Sequence, residues 1–281
     1  MRTAVVFIVF AVVALAPVAT GQGAPVFASR SLGTEEPRYA GLDDSPRHQE
    51  WVEIKHGERT VHAYLVYPEV SHKATAVVVI HENRGLTDWV RSVADQLAEA
   101  GYIAIAPDLL SGMAPGGGKT SDFESGDAAR EGIGKLPPDQ VTADLNAVAD
   151  YVAKLPAANG KVAVGGFCWG GAQTFRFATN RENLAAAFVF YGTGPSDAAA
   201  VARIKAPVYG FYGGADARVN ATIPTSEELM KAAGKSYEPV VYDGAGHGFM
   251  RSGEEPNATA ENKKARDDGW ARWKSLLAKI R

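Results

Sequence analysis

Lys161-Val162-Ala163-Val164-Gly165-Gly166-Phe167-Cys168-Trp169-Gly170-Gly171 is the stretch that decides the fold. A short apolar run, Val162–Gly165, leads into Gly166-Phe167-Cys168-Trp169-Gly170, and a helical stretch follows from near Ala172. A nucleophilic residue with glycine two places before and two after, at a strand-to-helix junction, is the pattern of a nucleophile elbow. The reason is steric: the turn is so sharp that both flanking positions press on neighbouring backbone. Such a turn lifts the side chain above the sheet, at the positive end of the following helix, where a thiolate is favoured over a thiol. The plainer reading is a Gly-rich turn around a small buried cysteine, the commoner fate of a lone Cys. The strand before it and the helix after it favour the elbow.

Working outward, the same alternation repeats. Short runs apolar on both faces occur at Ala76–Ile80, Tyr102–Ala106, Val162–Gly165, Ala187–Tyr191, Val208–Tyr212 and Pro239–Tyr242. Strands of this kind belong to parallel sheets covered by helices. Between them, Val90, Val93 and Leu97 recur at helical spacing, with Asp88 placed as a cap and Gly101 as a stop. Val141, Leu145, Val148 and Val152 form a second stripe, and Trp270, Trp273 and Leu277 a third. Upstream, Trp51–Ile54 and Val61–Tyr67 flank His56-Gly57-Glu58 and predict a hairpin at one sheet edge. The pattern predicts one α/β domain with a mostly parallel sheet of about eight strands and helices on both faces. A length of 281 residues suits it, and 46% apolar content supplies a core.

Chain order then selects partners for the cysteine. With a nucleophile elbow, the acid follows the nucleophile and the base comes last. His247, in Gly244-Ala245-Gly246-His247-Gly248-Phe249, is the one histidine after Cys168. Asp216, after the run ending at Tyr212, is favoured as the acid; Asp243 is its rival, on the strand that delivers the histidine. The loop after Ile80, His81-Glu82-Asn83-Arg84-Gly85, stands where one oxyanion donor arises, the second coming from the residue after the nucleophile. Those donors are the N–H groups of Asn83 and Trp169. On its own, Glu82 reads equally as a surface carboxylate.

Other classes are disfavoured. A net charge of -3 with dispersed Lys and Arg offers no basic patch for nucleic acid. Gly118-Lys119-Thr120 is reminiscent of a phosphate-binding loop, but Met113 stands where that motif needs glycine, and a flexible flap is the better reading. The six histidines show no pair at metal-ligand spacing, so neither metal nor cofactor is expected. Residues 1–23 read as a signal peptide: Arg2, the apolar run Ala4–Val18, then small residues. Fifteen apolar residues are short for a membrane span, so the expected product is periplasmic or secreted, with no stable membrane association. Residues 24–49 read as a surface arm and 50–281 as the catalytic domain.

Gly166–Gly171, the Glu82 loop, Ala106-Pro107-Asp108-Leu109, Gly213–Asp216 and Gly246–Phe249 together resemble the dienelactone hydrolase (carboxymethylenebutenolidase) family, on the α/β-hydrolase fold. The resemblance runs from about Val61 to Leu277. It implies a Cys168–His247–Asp216 triad that cleaves a small lactone or ester through a thioester. It also implies that Glu82 pairs with the resting thiol and helps make the thiolate when substrate enters. The family holds a substrate carboxylate with arginines. Arg251 matches one, while the second position falls near Gly112, and Arg84 is available to supply that charge. Tyr191 completes the expected substrate-binding set. The family is mostly cytoplasmic, so the export signal departs from it. A broad carboxylesterase or polyesterase is the alternative enzyme. A non-catalytic binding module is the alternative outside enzymes, which an intact triad disfavours.

Overall fold

Seven residues from Ala74 to Ile80, every one of them buried, form the strand on which the sheet is centred. Side chains alternate across a strand, so a run buried at every position needs cover on both faces. The computed structural model describes Tyr39 and residues 42–280. Among these, eight strands form one sheet: β1 (Gln49–His56), β2 (Arg59–Val66), β3 (Ala74–Ile80), β4 (Ile103–Pro107), β5 (Ala158–Phe167), β6 (Ala186–Phe190), β7 (Val208–Gly213) and β8 (Tyr237–Tyr242). Their spatial order is β1-β2-β4-β3-β5-β6-β7-β8. β2 is antiparallel to β1 and to β4, and every other neighbouring pair is parallel. The edge hairpin is therefore β1–β2. Most strands run a residue or more past the apolar runs that announce them, because ladder hydrogen bonds continue where side chains turn polar.

Two apolar layers cover the sheet. On one face lie α1 (Asp88–Glu99), α8 (Phe249–Ser252) and α9 (Ala260–Ala278), contributing Val90, Val93, Leu97, Phe249, Trp273 and Leu277. On the other lie α2 (Gly126–Lys135), α3 (Pro138–Ala153), α4 (Trp169–Ala178), α5 (Ala198–Ala202), α6 (Ala217–Asn220) and α7 (Ile223–Ala232). All three expected helical stripes are buried. One boundary differs: Thr87, not Asp88, is the N-cap of α1, and Asp88 sits in the first turn, paired with Arg91 at 3.0 Å. An acidic residue there still complements the helix dipole.

The expected export segment, residues 1–23, lies outside the described residues, as does most of the arm. The arm's described end is tied down: Ser45 Oγ and Arg47 Nε both donate to Asp95 of α1, at 2.7 and 2.8 Å. The segment read as a flexible flap is also anchored. Thr120 is 1% exposed, and its hydroxyl and N–H both donate to the Asp108 carboxylate, at 2.7 and 2.8 Å. Two buried bonds to one carboxylate explain why the chain settles there despite its glycines. Among the described residues no helix is long and apolar enough to cross a membrane.

Candidate active site

Cys168, Glu82, Asp216, His247 and Tyr191 each follow directly, or within five residues, the C-terminal end of a parallel strand, so the topology gathers them at one edge of the sheet. Ligand sites in open α/β sheets form on that side. Cys168 is half-buried, with φ 56° and ψ −116°, a strained conformation for a residue carrying a Cβ. The glycines around it make that turn fit. A Cβ on Gly166 would lie 2.3 Å from Gly170 O, and one on Gly170 would lie 2.4 Å from His81 O and 2.5 Å from Ile80 O. Cys168 is the N-cap of α4, so Trp169 N–H is the helix's first and has no intrahelical acceptor.

The histidine and its acid are brought together. His247 Nδ1–H donates to Asp216 Oδ2 at 2.5 Å. Asp216 is 7% exposed and caps α6, where Oδ1 accepts from Val219 N–H at 3.4 Å. Asp243, the rival acid, is exposed. The hydrogen bond with Cys168, then the bond to Asp216, push the His247 pKa up to about 9 against the opposing effect of burial. The imidazolium is therefore the favoured form beside Cys168 at neutral pH.

Glu82 is placed otherwise than expected. Its Oε2 accepts from Arg251 Nε at 2.9 Å, so its partner is the arginine and not the resting thiol. The physical reason is charge: a carboxylate gains more from a guanidinium at hydrogen-bond distance than from a neutral S–H. Arg251 is correspondingly occupied by a protein carboxylate. Next to Glu82, Asn83 lies in a turn closed by the bond from Gly85 N–H to Glu82 O at 3.3 Å.

Tyr191 is 1% exposed, with φ 38°. Its ring stands edge-on to His247, centroids 5.1 Å apart, and to Phe249 at 5.3 Å. Among the described residues its hydroxyl has no hydrogen-bond partner. Burial, then the charge of Glu82, push its pKa well above that of a free tyrosine, so it remains a donor. Arg84 is exposed and lies over α2, its Cδ 3.4 Å from where a Cβ on Gly126 would stand.

Gly112, where the second arginine was expected, faces a different one. A Cβ there would lie 3.7 Å from Nη1 of Arg59. Arg59 is held by Asp144, at 2.9 Å from Nε to each oxygen, and donates to Leu109 O at 3.0 Å. It lines a polar cavity of about 580 Å³ with His56, His62, Ser111 and Gln140, which includes none of the triad. No motif marks Arg59 in the sequence, since its place follows from the hairpin register.

Comparison with known proteins points to one family. The model of the dienelactone hydrolase family matches residues 61–281. A protein of Methylorubrum extorquens, provisionally named a carboxymethylenebutenolidase, is 32% identical over 232 residues, covering 79% of this chain and 77% of its own. A similarly named protein of Salmonella typhimurium is 33% identical over 222 residues, covering 75% and 79%. A structure provisionally titled dienelactone hydrolase, from Klebsiella pneumoniae, superposes with a TM-score of 0.72 at 27% identity, over 83% of this chain and 98% of that one. An acylaminoacyl peptidase of Pyrococcus horikoshii, with a TM-score of 0.62 at 14% identity over 83% of this chain and 41% of its own, shares the fold alone. The eight-stranded sheet, the strained cysteine turn and the family match over residues 61–281 have one conclusion: the chain belongs to the dienelactone hydrolase family and is a carboxymethylenebutenolidase-like hydrolase on an α/β-hydrolase fold.

Proposed function

We propose that this hydrolase cleaves small carboxylic esters or lactones through a Cys168 thioester, with His247 as acid and base and Asp216 as its orienting partner. The observation that carries the reading is the His247–Asp216 hydrogen bond together with Cys168 mounted on a strained turn at a helix N-terminus. With its proton passed to His247, the Cys168 sulfur adds to the substrate carbonyl carbon. The developing oxyanion is received by the N–H groups of Asn83 and Trp169, each such donor being worth about 10²–10³ in rate. As the intermediate collapses, the leaving alkoxide takes a proton from the His247 imidazolium, giving alcohol and thioester. A water then loses its proton to His247 as its oxygen attacks the thioester, releasing the acid and the thiolate.

The raised His247 pKa fits both halves. Its largest cause is the hydrogen bond with Cys168, which acylation of the sulfur removes. The ring therefore favours the imidazolium before attack, and the neutral base once the thioester has formed. Tyr191 presents a buried hydroxyl for a substrate oxygen. Arg251 serves a substrate carboxylate only in competition with Glu82.

Export belongs to the same proposal and is supported by Arg2 followed by the apolar run Ala4–Val18. The test of activity is a panel of a chromogenic acetate ester, a neutral lactone and a carboxylate-bearing lactone. Turnover of any, abolished by iodoacetamide and protected by substrate, supports the reading. Turnover of none by a folded protein contradicts it.

A further inference from the structure

The imidazole of His81 is fully buried and takes no part in the chemistry above. Its surroundings fix its state. Glu82 O, a carbonyl oxygen, lies 2.8 Å from Nδ1, so Nδ1 must carry the hydrogen. Leu109 N–H lies 3.2 Å from Nε2, so Nε2 must be the bare acceptor. One neutral tautomer satisfies both, and an imidazolium would set two N–H groups against each other. The ring also stacks on the indole of Trp169, centroids 5.5 Å apart and planes inclined by 15°. Its own carbonyl fills the space that a side chain at Gly170 would need.

The far ends of these contacts matter. Leu109 belongs to the loop after β4, which is itself rigid: Asp108 accepts from Thr120 N–H and Oγ1–H and from Leu110 N–H, at 2.8, 2.7 and 3.1 Å. Glu82 O lies one residue before Asn83. Trp169 follows the nucleophile. The ring thus touches both segments that carry the oxyanion donors and braces them on a third that is held elsewhere.

We propose that His81 is a positioning residue for the oxyanion site, its neutral Nδ1–H imidazole setting the spacing between the Asn83 and Trp169 N–H groups. This rests on the oxyanion role assigned to those two residues. Among the described residues, Asp108 is the charged group whose field acts on the ring; from the other packed segments it meets a backbone carbonyl and an indole. Burial lowers the His81 pKa below the ordinary 6.5, so the neutral form persists through mildly acidic pH.

The test compares wild type, His81→Phe and His81→Gln by three readouts: kcat and KM on a chromogenic acetate ester, the rate of Cys168 alkylation by iodoacetamide, and imidazole ¹⁵N NMR of the wild type. Phenylalanine keeps the stack and removes both hydrogen bonds, whereas glutamine restores an acceptor for Leu109 N–H. In His81→Phe, kcat falls by about tenfold or more, a partial loss of what one oxyanion donor supplies. The alkylation rate stays unchanged, because it does not depend on oxyanion geometry, and His81→Gln recovers most of kcat. An unchanged kcat in folded His81→Phe overturns the proposal, as does a parallel loss of kcat and alkylation rate. If His81→Phe does not fold, His81→Gln and the spectrum decide. A neutral Nδ1–H ring at pH 6.5 supports the proposal, and an Nε2–H tautomer or an imidazolium overturns it. If the wild type turns over no ester, the functional reading fails while the tautomer still tests the brace itself.

Discussion

Arg251 and Glu82, 169 residues apart in the chain, form an ion pair of 2.9 Å in which the arginine side chain is 44% exposed and the glutamate 15%. The pair closes a link between the loop after β3 and α8. It also means that an acidic substrate would share Arg251 with a resident carboxylate, whereas a neutral ester need not.

Arg251→Ala therefore separates substrate classes. A charge-assisted hydrogen bond is worth about 1.5–3 kcal/mol, or about ten- to two-hundred-fold. KM for a carboxylate-bearing lactone is expected to rise within that range, and much less for a neutral acetate ester. Equal effects on both would show that the arginine serves the fold and not the substrate.

Asp216 holds His247 through its one committed nitrogen, and the consequence is kinetic. Asp216→Asn is expected to lower kcat by more than about tenfold with the melting temperature preserved, since a mis-set tautomer costs orders of magnitude in comparable triads. Asp243→Asn, on an exposed turn, leaves kcat where it was. Steady-state kinetics with thermal melts decide, and the reverse ranking would move the acid role to Asp243.

His247 also predicts a pH dependence of stability. Its folded pKa, about 9, lies above the ordinary 6.5. A group raised on folding contributes stability that is fully present below pH 6.5 and lost as pH rises through 9. The melting temperature should fall across that window in wild type and less so in His247→Gln. Parallel curves would mean that the ring is not paired in the folded state.

Packing at the elbow is testable without activity. Alanine at Gly170 meets two backbone oxygens at 2.4 and 2.5 Å, whereas alanine at Gly134 in α2 meets nothing within 4 Å. Overpacking costs about 1–3 kcal/mol, so Gly170→Ala should lower the melting temperature by about 2–12 °C. Gly134→Ala should hold or raise it, alanine being the better helix former by about 1 kcal/mol. Calorimetry showing no difference would contradict the close approach at Gly170.

What the sequence revealed follows a physical division. Runs such as Ala76–Ile80 were legible because burial on both faces leaves no polar position, and the cysteine turn because sterics demand its glycines. The ion pair of Glu82 with Arg251 was not, because choosing between a thiol and a guanidinium requires the distance between two loops. Arg59 beside Gly112 was hidden for the same reason: register along β1–β2 sets it, and no local pattern does. α2 announced itself poorly, since Ala129, Gly132 and Ile133 bury too small a stripe to stand out. His81 looked like any loop histidine until its two bonds and its stack were seen.

In the proposed mechanism Cys168 carries the acyl group. Mass spectrometry of protein quenched in acid during turnover of a chromogenic acetate ester tests it most directly. One acetyl group is expected on the tryptic peptide Val162–Arg176, located on Cys168 by fragmentation and absent from Cys168→Ala, which has lost turnover. An acetyl group on another residue, or full turnover by Cys168→Ala, would contradict it.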